Sequence, residues 1–299
     1  MLSLKQLVVD NLPSAKPELW DNVRGALWRR FEAWVNTNVD PTWSKRPFIT
    51  TIEPERLMLE VVPGDVIGMP ITVFGVYEYA VSRLVREYLR PGDVFVDVGA
   101  NIGYYSCIAA AAVRDSGAVY AFEPSARIRS RLARNVALND LRQVVVRPEA
   151  ATASSGVVRL VEPQGHGNDG LAYVQTSGSD SGVEVRAIRL DEVPEFSVRC
   201  PHLIKVDVEG GEAEVFRGST SLLNRTDGPS IVFESFGIAR DAAILHEYGY
   251  QVFQPTLRKG LIGLTRDLEA PPYRRWEAPN FFAVKSERGR QFAEMRIEG

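Results

Sequence analysis

The sequence predicts an α/β fold organised around a doubly wound parallel sheet. Three observations carry that prediction. From about Tyr77 onward, apolar strands alternate with amphipathic helices. One strand, Val94-Phe95-Val96-Asp97-Val98, is almost wholly apolar, as strands buried on both faces are. That strand runs directly into a glycine-containing turn at the start of a helix.

The elements follow in order. Residues 1–75 read as a small N-terminal subdomain ahead of a core spanning 76–299, and four of the five tryptophans (Trp20, Trp28, Trp34, Trp43) lie in it. Ala26, Arg29, Arg30 and Glu32 fit an amphipathic helix between Pro17 and Asn36. Leu57 to Val62 and Ile67 to Phe74 read as two strands around the turn Pro63-Gly64-Asp65. The tryptophans suit core packing or a homodimer surface, and less readily a substrate lid. In the core, Val76 to Arg90 reads as a helix with Ala80, Leu84, Val85 and Tyr88 on one stripe, stopped by Pro91-Gly92. An Ala-rich helix over Ile102 to Val113, a strand over Val119 to Phe122, a helix through Ile128, Leu132 and Val136, and a strand over Val144 to Val146 complete a βαβαβ run. Val157 to Val161, Leu171 to Val174 and Val183 to Ile188 suggest antiparallel ribbons in a Gly- and Ser-rich middle. The alternation resumes with a strand over Leu203 to Val208, a helix over Glu212 to Leu223, a strand over Ile231 to Glu234 and a helix over Asp241 to Tyr248. Tyr250 to Gln254 and Phe281 to Lys285 end the chain as strands separated by a long loop, the last one antiparallel.

Composition bounds the function. With 35 Lys+Arg against 38 Asp+Glu among 299 residues, the net charge is -3, which argues against a nucleic-acid partner. Cys107 and Cys200 are the only cysteines, too few for a disulfide framework or a Cys-built zinc site. The N-terminal stretch lacks the apolar region of a secretion signal, and no apolar run reaches the roughly 18 residues of a membrane span. A cytoplasmic, soluble protein without a membrane partner is the expectation.

The most informative segment is Asp97-Val98-Gly99-Ala100-Asn101-Ile102-Gly103. Glycines at a strand–helix junction let the backbone turn tightly and approach a ligand. Asn101 occupies a position that often needs a left-handed backbone, which Asn tolerates. Glu123 follows at the tip of the second strand, placed to accept hydrogen bonds from both hydroxyls of a ribose, and Glu149 at the tip of the third is placed to meet an adenine edge. The loop is neither G-x-G-x-x-G nor G-x-x-x-x-G-K-[ST], and the acid before it, Asp97, repels a pyrophosphate but suits an ammonium group. S-adenosylmethionine, an adenosine without phosphate, fits better than a dinucleotide or a triphosphate.

Several separated segments resemble the FkbM-type S-adenosylmethionine-dependent methyltransferases. They are Pro91-Gly92-Asp93 through Ser106, Phe122-Glu123-Pro124, Asn135 to Asn139, and Ile204-Lys205-Val206-Asp207-Val208-Glu209-Gly210-Gly211-Glu212, where Gly211 stands in place of the family's usual alanine. The resemblance covers about residues 77 to 285 and leaves out the Trp-rich region. It implies a class I methyltransferase fold, Rossmann-like with seven strands, and methyl transfer to a hydroxyl of a small molecule such as a sugar or natural product. By that resemblance Asp97, Gly99, Asn101, Gly103 and Ser106 hold the methionine end of the cofactor. Glu123, with Pro124 beside it, binds the ribose, and Glu149 with Ala150 meets the adenine. Tyr77 and Glu78 match a Tyr-Glu pair the family often carries there.

An aliphatic hydroxyl is a weak nucleophile at neutral pH, so a base or a metal ion should assist. His166, in the polar loop Gly165 to Gly170, is the first candidate base, set against an ordinary surface histidine. Asp207 and Glu209 at the end of the fourth core strand and Glu234 at the end of the fifth should border the acceptor site. Their oxygens would also suit Mg²⁺, although Glu209 and Glu212 equally suit a helix N-terminus, and Asp207 could instead bind the cofactor or orient Lys205. His202 and His246 read as structural or solvent-facing. Arg127, Arg129, Arg131 and Arg134 read as a solvated helix face, and Tyr273 to Trp276 as a surface loop. Two other classes stand beside the methyltransferase reading: an NAD(P)-dependent oxidoreductase and a noncatalytic S-adenosylmethionine-binding protein.

Overall fold

The computed structural model describes residues 30, 33–34, 37–38, 42–162, 172–175, 182–258, 261–270, 278–285 and 296–298. Of the helix expected from Pro17 to Asn36, Arg30, Ala33 and Trp34 are described, all helical and exposed, while Trp20 and Trp28 lie outside the described residues. The loop carrying His166 and the segment Tyr273 to Trp276 also lie outside them.

The first described strands form a hairpin, β1 (Phe48–Ile52) against β2 (Leu57–Val61). The partner of Leu57 to Val62 is therefore the preceding strand, not the following segment. Ile67 to Phe74 is not a strand either, but a short helix, α1 (Gly68–Phe74), closed by a left-handed Gly75 whose N–H donates to the Ile71 carbonyl at 2.9 Å. Its β-branched residues suggest a strand, yet tertiary contact decides otherwise. A Cβ on Gly68 would lie 1.8 Å from the Val62 carbonyl oxygen, so only glycine lets the helix start this close to the end of β2. Helix α2 (Tyr79–Tyr88) begins after Glu78, later than the periodicity suggests.

The core then follows the expected alternation: β3 (Val94–Val98), α3 (Tyr104–Val113), β4 (Ala118–Phe122), α4 (Ala126–Leu138) and β5 (Val144–Arg147). A separate four-stranded sheet comprises β6 (Ala150–Ala151), β7 (Gly156–Val161), β8 (Tyr173–Gln175) and β9 (Val183–Ile188), in the order β6-β9-β7-β8. After α5 (Pro194–Val198) come β10 (Leu203–Val206), α6 (Glu212–Arg217), α7 (Thr220–Asn224), β11 (Ser230–Glu234) and α8 (Ile238–Glu247). The single helix expected over Glu212 to Leu223 is thus two. The break falls at Gly218, where a Cβ would sit 2.0 Å from the Thr152 carbonyl oxygen. The chain closes with β12 (Tyr250–Arg258), β13 (Leu261–Thr265), β14 (Asn280–Lys285) and β15 (Arg296–Glu298), so the expected late loop contains a strand of its own.

The large sheet runs β15-β13-β12-β14-β11-β10-β3-β4-β5. Counting only the core strands in chain order gives 3-2-1-4-5-7-6, with β14 antiparallel to both β11 and β12. This is the class I methyltransferase arrangement, and it carries the fold assignment. Strands β3, β10 and β11 are buried along their whole length, with one apolar cluster on each face of the sheet. Among the described residues no helix is long and apolar enough to cross a membrane.

The N-terminal hairpin joins this core through two asparagines one helical turn apart. On α4, Asn139 accepts from the Met58 N–H and donates to the Met58 carbonyl, both at 2.7 Å. Asn135 accepts from the Glu60 N–H at 2.7 Å and donates to the Ile102 carbonyl at 2.8 Å. Side-chain amides thereby take the place of a neighbouring strand along the edge of β2. Asn135 is fully buried, so Asn135→Ala would deprive the part-buried Glu60 N–H and the buried Ile102 carbonyl of their partner. The expected loss is about 2–3 kcal/mol of stability, read as a lower midpoint in urea unfolding.

Candidate active site

The carboxyl ends of β3, β4, β5, β10 and β11 meet at one edge of the core, and every acid singled out in the sequence sits there. Gly99 has φ 78°. A Cβ there would lie 1.8 Å from the Asp207 carbonyl oxygen, so the turn after β3 presses against the turn after β10. Asn101 is left-handed at φ 49°, as expected, and its side-chain oxygen accepts from the Ile102 N–H at 2.8 Å. Its own N–H donates to Glu123 Oε2 at 2.9 Å, while the Ser125 N–H donates to Glu123 Oε1 at 2.9 Å. The Glu123 carboxyl is thus fixed by two backbone donors. Burial nevertheless pushes it up to about 7.

Next to it, Arg129 donates to the carbonyls of Glu123 and Pro124, both at 2.8 Å, and Arg131 pairs with Asp65 at 3.2 Å. The arginines of α4 are therefore not simply a solvated face: Arg129 braces the loop after β4, and Arg131 ties in the N-terminal region. A cavity of about 740 Å³ opens between Gly99, Asn101, Glu123 and Pro124 on one side and Glu149, Ala150 and β7 on the other. Glu149 is buried and held by Arg147 at 3.2 Å. Asp97, Gly103 and Ser106 lie buried behind this wall. Ser106 reaches the site only through Asp97, donating to its Oδ2 at 2.6 Å. Burial pushes Asp97 up to about 6, against the pull of Lys205.

A second, smaller recess of about 40 Å³ shares Gly99, Asn101, Asp207 and Glu209 with the first and adds Ile67, Tyr77 and Glu234. Behind it stands the residue that sequence reasoning treated only as a partner of Asp207. Lys205 is 1% exposed. It donates to Asp207 Oδ2 at 2.7 Å and lies 4.6 Å from the centre of the Tyr105 ring. Asp207, Glu78 and Asp97 surround its ammonium and hold its proton firmly. Glu78, left-handed at φ 41°, accepts from the Tyr105 hydroxyl at 2.7 Å and from Asn280 Nδ2 at 2.5 Å. Asn280 was not anticipated. The signal for Lys205 was present: a lysine inside an otherwise apolar strand that must be buried on both faces.

Glu234 is 8% exposed. Its carboxyl is pushed up to about 9, first by burial and then by Asp207 and Glu78. Glu209 rises to about 7 for similar reasons. Glu212 instead accepts from the Gly210 N–H at 3.1 Å, the helix-start role allowed for it. The Mg²⁺ site considered for Asp207, Glu209 and Glu234 does not form: among the described residues no three such groups converge on one point, and Lys205 already occupies an oxygen of Asp207. His202 is structural, accepting from the Val94 N–H at 3.0 Å, and His246 is exposed on α8.

Comparison with known proteins assigns the family. The sequence model of the methyltransferase FkbM domain matches residues 97–252. A hexuronic acid methyltransferase, AglP of Haloferax volcanii, is 36% identical over 149 residues, 49% of this chain and 58% of that protein's length. The matched stretch therefore spans little more than half of that relative. Among solved structures, an FkbM methyltransferase from Methylobacillus flagellatus is 17% identical, with 72% of this chain and 59% of that chain covered at a TM-score of 0.41. An O-methyltransferase from Bacillus cereus in complex with SAH is 11% identical, with 69% and 78% covered at a TM-score of 0.37.

The carboxyls of this site give stability an unusual pH dependence. A carboxyl that holds its proton more tightly in the folded chain adds stability below its unfolded value and loses it as pH rises through the folded value. Asp97, Glu123, Glu209 and Glu234 all shift this way, to about 6, 7, 7 and 9. Their contribution to the stability of the ligand-free chain should therefore fall from about pH 4 to pH 9. Glu234→Gln should flatten the limb above pH 7, measured as the urea midpoint against pH.

Proposed function

Because this chain belongs to the FkbM family of methyltransferases, we propose that it uses S-adenosylmethionine to methylate a hydroxyl of a small molecule, a sugar or a sugar-bearing natural product. One observation carries the cofactor assignment: Glu123 is fixed by two backbone amides on the wall of a 740 Å³ cavity whose opposite wall holds Glu149 and Ala150. A carboxylate held in that way can accept from two adjacent ribose hydroxyls, while the acids around the loop disfavour a phosphate-bearing ligand. The close approach of Gly99 to the Asp207 carbonyl and the buried Asp97 fit an amino-acid end bearing an ammonium group. Bound there, the cofactor supplies a methyl group already activated by a sulfonium.

The chain's own part is to orient the acceptor and take its proton. Asp207 already accepts from Lys205, whereas Glu234 faces the recess with no such hydrogen bond among the described residues. Glu234 is therefore the base in this reading, with Asp207 as a wall of the acceptor site. His166 is the second candidate and lies outside the described residues. Val66 and Ile67 line the same recess, so the region before residue 75 supplies part of the acceptor wall and acts as a cap. The activity of the Haloferax volcanii relative on a hexuronic acid supports a sugar as acceptor.

Titration calorimetry with S-adenosylmethionine, S-adenosylhomocysteine and NAD tests the cofactor. Binding of the first two and not the third is expected; the reverse pattern would favour an oxidoreductase, and binding without turnover on any hydroxylated acceptor would favour a noncatalytic protein. Glu123→Ala should weaken S-adenosylmethionine binding by about tenfold or more, the worth of a charge-assisted hydrogen bond. Unchanged affinity would remove Glu123 from the ribose site. In an assay with sugar acceptors, Glu234→Gln should lower kcat by about 10²-fold or more, and His166→Ala should leave it near the parent value.

A further inference from the structure

Glu234 does not hold the fold together. Its side chain is nine-tenths buried, lines the recess, and accepts no hydrogen bond among the described residues. The groups that face it are mostly negative. The turn after β10 brings Asp207 and Glu209, and the start of α2 brings Glu78; Lys205 is the one cation among these groups, and Asp97 on β3 also draws on that cation. That cation is drawn toward Asp207, at 2.7 Å. Asn280, opposite Glu234 on β14, directs its amide to Glu78 instead. A carboxyl so placed, poorly hydrated and beside like charges, is more stable with its proton than without it.

The proposed cofactor would bring a positive sulfonium to this same edge. Resting on the cofactor reading above, we propose that Glu234 carries a proton in the ligand-free chain and releases it when the cationic cofactor enters, so that the base exists only in the loaded site. The charges then move together. Entry of one positive charge offsets the repulsion that kept Glu234 neutral, and a proton leaves to solvent. Glu234 next accepts the acceptor's hydroxyl proton as the oxygen–carbon bond forms and the carbon–sulfur bond breaks, its electron pair passing to sulfur. Glu234 ends neutral beside a neutral sulfide, the charge state in which it began, so product can depart without proton uptake. Binding order follows as well: an acceptor arriving first would meet a protonated Glu234, unable to act as base.

Calorimetry of the full chain at pH 7.5 in two buffers of different ionisation enthalpy reads this directly. S-adenosylmethionine should release roughly 0.5 to 1 proton per site. S-adenosylhomocysteine has the same amino-acid end but no sulfonium charge, and should release much less. Release should fade as pH is raised past about 9, where Glu234 is already ionised. Glu234→Gln should bind S-adenosylmethionine without the release. The comparison of the two ligands on the unaltered chain needs no variant. Equal heats in both buffers for S-adenosylmethionine, equal release by both ligands, or release retained in Glu234→Gln would each overturn the inference while leaving the cofactor reading intact. Failure of both ligands to bind would overturn that reading and this inference with it.

Discussion

The ammonium of Lys205 is the constraint on which the rest of the site depends. Four carboxyls, the buried Glu78, Asp97 and Glu234 and the part-exposed Asp207, meet at one end of the sheet, and burying a carboxyl ionised is costly without a counter-charge. Lys205 supplies that charge from the middle of the sheet, where the flanking strands β3 and β11 fix its backbone. Its position follows from strand alternation: residues 205 and 207 project to the same side, so the lysine and the acid two places on can pair directly. One ammonium does not neutralise four carboxyls, so at least one of them is better kept protonated than ionised.

Around that centre the turns are locked by backbone approach more than by side chains. Gly99 lies against the Asp207 carbonyl, and Gly218 against the Thr152 carbonyl. The first contact joins the turn after β3 to the acid-bearing turn after β10, so the two halves of the site have little freedom to move apart. The second holds the break between α6 and α7 against the connection leading into β7. Glu123, anchored by the amides of Asn101 and Ser125, completes a frame in which the chain's own donors orient the acid before any ligand arrives. Such preorganisation lowers the ordering cost of binding.

Much of this was legible in the sequence, and the limits have physical causes. Alternation of apolar strands and helices gave the sheet, including the antiparallel β14, because buried parallel strands have a distinctive run of apolar residues. Asn101 was readable because few side chains tolerate φ > 0. The errors fell where tertiary contact overrides local preference. Ile67 to Phe74 has the composition of a strand but helps cover the core as a helix, and Gly218 divides a helix that periodicity joins. Asn280 is distant in sequence from Glu78, so no local pattern could pair them. The role of Asn135 and Asn139 was equally hidden. Their spacing belongs to a helix, while their purpose is to complete a strand.

That last arrangement has a consequence for how the chain assembles during synthesis. The hairpin of β1 and β2 leaves the ribosome early, yet the amides that close its edge lie 75 and 81 residues further on. Until α4 has been made and has docked, β2 shows unpaired backbone groups, a surface on which strands of other chains can add. Contacts so distant form late and slowly. A hairpin made before α4 is therefore secured only after it, and the interval is when a nascent chain is most open to association with its neighbours.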